Sequence, residues 1–300
     1  MSIHVKKIKA CDLNVSGSAF AYERDRMLPK LHCVGLVVGK RGSGKNVAAT
    51  SLIEKLNYHR VFVITPLESY QSNIDQMTRM KVNPEDVFDC DDVGSVDKII
   101  ASMNKERDDW EKWKADTKRY EEFMKYIGDS SRPIESLPHN LISEFYDGYS
   151  FRPPKHKYNG ERPCCAVMFD DVLCSPILLK GIRKVNSLVI RHRHIAPLKE
   201  GGALGISCFF LTQTYRCQVG GISKAIRGQA TFLVLFRTKN KDELDQVCAE
   251  CAGEIDEDTF IDVYNAAVKD KHDFMFIDFH PKDPSLQFRR GYNEALLMPS

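Results

Sequence analysis

The sequence has no apolar run long enough to cross a membrane. Its longest runs, such as 206–211 and 231–236, are six residues, against roughly 20 for a spanning helix. It also has no marked excess of charge: 43 Lys and Arg face 41 Asp and Glu, a net of +2. That excludes a strongly basic coat protein but leaves room for a local basic patch that grips nucleic acid. Ten scattered cysteines in 300 residues are too few for a disulfide scaffold. Several lie in apolar runs, where a reduced thiol acts as a small hydrophobe, so a reducing, cytosol-like compartment is expected. With 18 glycines and 13 prolines the chain is neither collagen-like nor low-complexity. The opening MSIHVKKIKA carries charges with no apolar core behind them, so no signal peptide is expected.

What is present is globular: 43% hydrophobic and 28% charged residues, enough to bury a large core. Apolar, β-branched runs stand at 31–38, 60–65, 164–169, 206–212, 231–236 and 274–277. Continuous rather than alternating apolar runs mark strands buried on both faces. Helical patterns at 45–56, 95–127, 242–251 and 258–268 fall between them. The alternation predicts an α/β fold with a mainly parallel central sheet flanked by helices. Residues 1–30 are weakly periodic and read as an N-terminal arm, a short strand or an oligomerisation segment. The rest, 31–300, reads as one domain. A helical and irregular insertion is expected at about 95–163: charged, exposed helix first, then a proline-rich connection with five prolines from Pro133 to Pro163.

The most informative segment is Gly39-Lys40-Arg41-Gly42-Ser43-Gly44-Lys45-Asn46. It follows an apolar strand and opens a helix, which is the setting of a phosphate-binding P-loop. Glycines let the backbone curl so that its N–H groups point inward, and the helix N-terminus adds partial positive charge. Lys45 is placed to neutralise β- and γ-phosphates. The next residue is usually Ser or Thr, whose hydroxyl ligates Mg²⁺. Here it is Asn46, whose amide oxygen is a tolerable ligand for a hard cation, directly or through water.

The run 164–169 ends in Asp170-Asp171. In nucleotide hydrolases a strand beside the P-loop strand ends in this way: the first carboxylate, Asp170, holds Mg²⁺ and the second, Asp171, polarises the attacking water. Adjacent aspartates also cap helices. The run 206–212 ends at Gln213, which reads either as a γ-phosphate sensor at the carboxyl edge of the sheet or as an ordinary polar residue at a strand end. The lone Cys248-x-x-Cys251 lacks a second ligand pair for zinc. Trp110 and Trp113 read as packing residues, and the DCDD at 89–92 as a solvated loop.

The ordered set GKRGSGKN, FVITP, CCAVMFDD, RHRH, ISCFFLTQTY and AIRGQATFLVLFRT resembles the genome-packaging ATPases of nucleocytoplasmic large DNA viruses, within the FtsK–HerA superfamily of P-loop motors. The resemblance covers about 31–251. It implies a RecA-like core, ATP and Mg²⁺ as cofactors, and assembly into a homo-oligomeric ring of five or six subunits. ATP hydrolysis would drive double-stranded DNA into a preformed capsid. It further implies capsid or portal partners, and action in the host cytoplasm, in viral factories, and in the virion. Lys45, Asp170, Asp171 and Gln213 carry the roles given above. An arginine finger from a neighbouring subunit is expected, with Arg227 the first choice and Arg191 and Arg193 next. Asn46 departs from the pattern, as does the spacer APLKEGGALG before Ile206. The densest basic run, from Arg183 and Lys184 through Arg191-His192-Arg193-His194 to Lys199, reads as the DNA contact or as a solvated helix face; Lys239 and Lys241 are weaker candidates. Two other readings stand beside the packaging motor. One is a different FtsK–HerA-type DNA pump or helicase. The other, kept open by Asn46, is a nucleotide-binding scaffold with weak hydrolysis.

Overall fold

The computed structural model describes residues 4–7, 27–128, 139–146, 148 and 150–297. Its centre is a ten-stranded sheet: β1 (His4–Lys7), β2 (Val34–Val38), β3 (Arg60–Thr65), β4 (Val87–Asp89), β5 (Cys165–Asp170), β6 (Ile206–Thr212), β7 (Phe232–Phe236), β8 (Phe274–Asp278), β9 (Phe288–Arg290) and β10 (Glu294–Leu297). The order across it is β1-β10-β9-β8-β7-β2-β6-β5-β3-β4. The block from β7 to β4 is parallel, and β8, β9, β10 and β1 extend it antiparallel. Helices connect the strands: α1 (Lys45–Leu56), α2 (Leu67–Ser72), α3 (Ile74–Arg79), α4 (Ser95–Ile127), α5 (His139–Phe145), α6 (Pro176–Leu179), α7 (Ile182–Ile190), α8 (Lys224–Arg227), α9 (Lys241–Cys251) and α10 (Glu257–Ala267). The expected α/β fold with its mainly parallel, helix-flanked sheet is therefore present.

Every residue of β2, β5, β6, β7 and β8 is buried. Side chains alternate between two cores, as strand geometry requires. One face packs under α1 and α3, through residues such as Val37, Val63, Met168, Leu211, Leu52 and Met77. The other packs under α4 and α6–α10, through Leu36, Phe62, Phe169, Phe210, Val247 and Phe260. The strands missed by sequence are short. Residues 288–290 read Phe-Arg-Arg, yet Arg289 is buried, paired with Asp278 and stacked on Phe276 at 4.1 Å.

Two expectations change. The charged helix is one element of 33 residues, about 50 Å long at 1.5 Å per residue, and one face of its first half is buried. Val96, Ile99, Met103, Glu106 and Trp110 form a buried stripe on it at three- and four-residue spacing. Beyond them, Phe123 packs with Phe145 and Phe151 in a separate small cluster. Trp110 and Trp113 stack at 5.0 Å, and Trp113 Nε1 donates to the Pro154 carbonyl, which ties the proline-rich connection down. The expected arm at 1–30 lies largely outside the described residues; within it, β1 pairs with β10.

The helix is fixed to the sheet by charge as well as by packing. Arg60, at the start of β3, donates to both oxygens of buried Asp86 and to Glu106 of α4 at 2.8 Å, and Lys157 closes on the other Glu106 oxygen at 2.7 Å. Removing the shared cation leaves Asp86 buried beside Glu106 without its main partner. Arg60→Met is expected to cost about 3–5 kcal/mol, read as a lower urea midpoint, whereas Arg79→Met, at an exposed pair with Glu54, is expected to leave the midpoint nearly unchanged.

Candidate active site

The carboxyl ends of the parallel strands converge on one edge of the sheet. β2 ends at Val38 and the chain turns at once into the glycine-rich loop. Gly39 N donates to the Thr212 carbonyl at 3.0 Å, which fixes the loop against the end of β6. A Cβ on Gly39 would lie 2.5 Å from Ser43 Oγ and 2.9 Å from Phe236 Cδ2, so only glycine fits. Gly44 has φ +102°, a conformation that side chains resist. Lys40, Arg41 and Gly42 are exposed at the tip. α1 then starts with no side-chain cap and no acidic residue in its first turn. Its leading N–H groups and dipole are left for an anion.

The acidic pair faces this loop. Asp170 is fully buried at the end of β5, and Asn46 Nδ2 donates to its Oδ2 at 2.9 Å. Its other oxygen, Oδ1, is buried and has no hydrogen-bond partner within normal geometry among the described residues. Burial, and then the neighbouring charge of Asp171, push its pKa up to about 6, against the weaker pull of Lys45 and Asn46. Asp171 adopts φ +52°, which Asp tolerates better than most residues. Its carboxylate is 37% exposed and lies 3.7 Å from Lys45 Nζ. An unpaired, buried carboxylate oxygen beside an anion cradle fits a hard divalent cation, so these residues suit a metal–polyphosphate complex. Asn46 stands there as a brace: it presents its amide nitrogen to Asp170 rather than the expected amide oxygen to an ion.

Strand order corrects one expectation. β5 is not beside β2; β6 lies between them, with Val38 opposite Thr212 and Leu211 opposite Asp170. Gln213 is the exposed residue immediately after β6, so it leaves the sheet between the phosphate loop and the acidic pair. Glu243, buried on α9, holds the two adjacent loops in place. It accepts from Tyr215 N and from Thr238 Oγ1, each at 2.8 Å.

The structure does not bring Arg227 to this edge. Its guanidinium donates twice to Glu250 and once to the Ile222 carbonyl, and it lies over the Tyr215 ring at 5.3 Å. The side chain is 7% exposed, so reaching a neighbouring subunit requires breaking the Glu250 pair. Arg191 folds back onto Ser187 of its own helix.

Arg193 lies at the opposite, amino edge of the sheet. There it lines a cavity of about 230 Å³ with Lys30, Thr231, Asp278, His280 and Lys282. The basic run is thus divided. Lys184 pairs with Asp97 and Lys199 with Glu111, both on α4, while Arg193 joins a second basic group. The other discounted signals are structural. Cys248 and Cys251 are buried in the core, with His272 and His280 at opposite edges.

Three residues at the phosphate edge were not foreseen. His272 Nδ1 donates to the Ser43 carbonyl at 3.0 Å, across 229 residues. Arg237 is the exposed residue that follows β7, the strand paired with β2 on the side away from β6. Thr65 ends β3, fully buried, with its hydroxyl unpartnered among the described residues. Arg237 and Thr65 had a signal, a polar residue closing a buried apolar strand; His272 had none.

The raised Asp170 pKa fixes a pH dependence. In the folded chain the carboxyl keeps its proton up to about pH 6, against 3.8 for the ordinary group. Stability from this group is full below pH 4 and is lost as pH rises through 6, a difference of about 3 kcal/mol. With nucleotide and metal withheld, Asp170→Asn is expected to gain stability relative to the parent by that order between pH 4.5 and 7, in paired urea titrations. An unchanged difference across that range overturns the assignment.

No protein-family model and no curated protein matches the chain. Among solved structures it is similar to the genome-packaging NTPase B204 of Sulfolobus turreted icosahedral virus 2. In the ATPγS complex the TM-score is 0.39 at 10% identity, covering 86% of this chain and 96% of that one. In the sulfate complex the TM-score is 0.41 at 11% identity, covering 89% and 97%. It is also similar to the pCW3 conjugation coupling protein TcpA with ATPγS, with a TM-score of 0.40 at 13% identity, covering 89% of this chain and 59% of that one. These are distant likenesses of chain path alone.

Proposed function

We propose that the chain is an ATP-hydrolysing translocase of double-stranded DNA that packages a viral genome into a capsid, working as a homo-oligomeric ring. The observation that carries the ATPase reading is the meeting, at one sheet edge, of an uncapped glycine-rich loop, Lys45 held by Asp171, and buried Asp170 with an unpaired oxygen. The DNA and packaging parts of the reading are supported by the ordered motifs from 39 to 237, which resemble those of packaging ATPases.

In this reading the loop N–H groups and Lys45 bind the triphosphate. Lys45 moves from Asp171 to the β- and γ-phosphates, and Asp171 is released to orient and deprotonate the attacking water. Gln213 contacts the γ-phosphate or that water. Asp170, braced by Asn46, holds Mg²⁺, which when bound neutralises charge on the phosphates. Charge supplied in trans comes from an arginine of the neighbouring subunit. Arg227 serves there only if subunit contact frees it from Glu250. DNA phosphates are gripped without sequence preference, by the basic group at the amino edge that includes Arg193 and Lys30.

Steady-state hydrolysis with Mg²⁺, with and without long linear duplex, tests this. Duplex is expected to stimulate turnover more than matched single strands do. Lys45→Ala is expected to lose nucleotide binding, and Asp171→Asn to bind ATP but turn over about 10²–10⁴-fold more slowly. Full activity in Asp171→Asn removes the water-activating role, and tight ATP binding without turnover in the presence of duplex favours the scaffold reading. Lys30→Glu with Arg193→Glu is expected to leave basal hydrolysis intact. It should weaken duplex stimulation and lower the salt slope of DNA binding by about one per lost phosphate contact.

A further inference from the structure

The glycine-rich loop lacks the hydroxyl that usually follows its lysine, because Asn46 stands there and spends its amide N–H on Asp170. A hydroxyl is nevertheless present at the same edge. Thr65, the last residue of β3, is fully buried, and its Oγ1 has no hydrogen-bond partner among the described residues. Such orphaned hydroxyls are rare in protein interiors and call for an explanation.

The register says what Thr65 stands beside. β3 and β5 are parallel neighbours with Ile64 opposite Phe169, so the next residues, Thr65 and Asp170, end adjacent strands at the same level, about 4.8 Å apart along the hydrogen-bonding direction. Val61 and Val63 of β3, and Ala166 and Met168 of β5, all pack in the core beneath α1. By alternation Thr65 and Asp170 turn to that same face, and the Asn46 bond from α1 to Asp170 agrees. Two buried oxygens without partners, Thr65 Oγ1 and Asp170 Oδ1, therefore close neighbouring strands on the side of the phosphate loop.

Thr65 is also held ready. Pro66 follows it and disfavours helical backbone at the preceding residue. The Thr65 carbonyl accepts from Cys90 N at 3.3 Å, and its β-branched side chain is stiff about χ1.

Resting on the nucleotide reading of this site, we propose that Thr65 is a positioning residue for the metal. Its hydroxyl holds a water of the Mg²⁺ shell beside Asp170 and supplies from β3 the hydroxyl that the loop lacks at Asn46.

The test is Thr65→Val, which keeps shape and removes the hydroxyl, with Thr65→Ser as its rescue. Mn²⁺ stands in for Mg²⁺, and its affinity for the protein–ATPγS complex is read by electron paramagnetic resonance. Thr65→Val is expected to weaken Mn²⁺ about tenfold, in the range of lost outer-shell partners, and Thr65→Ser to stay within about twofold of the parent. ATPγS affinity in EDTA is expected to be equal in all three. The metal-free Val variant is expected to melt at or above the parent temperature, because it loses an unsatisfied buried hydroxyl. A role in folding alone gives the reverse pattern, a lower melting temperature with Mn²⁺ affinity intact, and overturns the proposal. Equal Mn²⁺ affinity in a parent and a Val variant that both bind Mn²⁺ and ATPγS overturns the Thr65 role and leaves the nucleotide site standing. A parent that binds neither Mn²⁺ nor ATPγS overturns both.

Discussion

The burial of one carboxylate sets the terms for this site. Asp170 closes a strand that is buried along its whole length, flanked by β6 and β3 and covered by the start of α1. A charge there is costly unless it is paired, and the chain pairs it incompletely: one oxygen receives the Asn46 amide, and the other has no well-formed hydrogen bond among the described residues. Burial, and then the adjacent charge of Asp171, therefore raise its pKa. A site that disfavours the bare carboxylate in this way is one in which a divalent cation has most to contribute, since it would supply the missing opposite charge.

The neighbouring carboxylate solves a different problem. Asp171 reaches out of the sheet edge through a left-handed backbone, stays partly solvated and pairs with Lys45. Burial thus separates two adjacent carboxylates into one enclosed in the sheet and one at its solvated edge. The pairing of Lys45 with Asp171 also couples their fates. While the lysine sits on Asp171, that carboxylate is engaged, and only a competing anion in the loop draws the lysine away.

The glycine-rich loop at a strand–helix junction and the acidic pair facing it were legible because their signals are local: glycines, a lysine and a helix start within eight residues, and an apolar run closed by two aspartates. The longer apolar strands and the four longest helices were legible for the same reason, since their periodicities are local; the six shorter helices among the described residues were not. What was not legible depends on partners far along the chain. That β6 separates β2 from β5 depends on pairing between residues as distant in sequence as Val34 and Cys208. Arg227 looks free in sequence, and only the fold brings Glu250 onto it. The buried stripe of α4 was hidden by the charged residues between its members. Thr65 was quoted within an apolar run but not singled out, because a threonine at a strand end says nothing until the strand beside it is known.

The two edges of the sheet now carry distinct chemistry. The carboxyl edge gathers the anion cradle, the carboxylates and Gln213; the amino edge gathers Arg193 with Lys30, His280 and Lys282. β6 is the strand that links them. It runs from the end near the basic cavity to Thr212, whose carbonyl fixes Gly39, and its next residue is Gln213. Cys33 N donates to Ser207 Oγ at the β6 start, and His192, beside Arg193, reaches the His32 carbonyl through Nε2 at 3.2 Å. A rigid, fully buried strand flanked by the phosphate loop's own strand is a short mechanical path between the two edges.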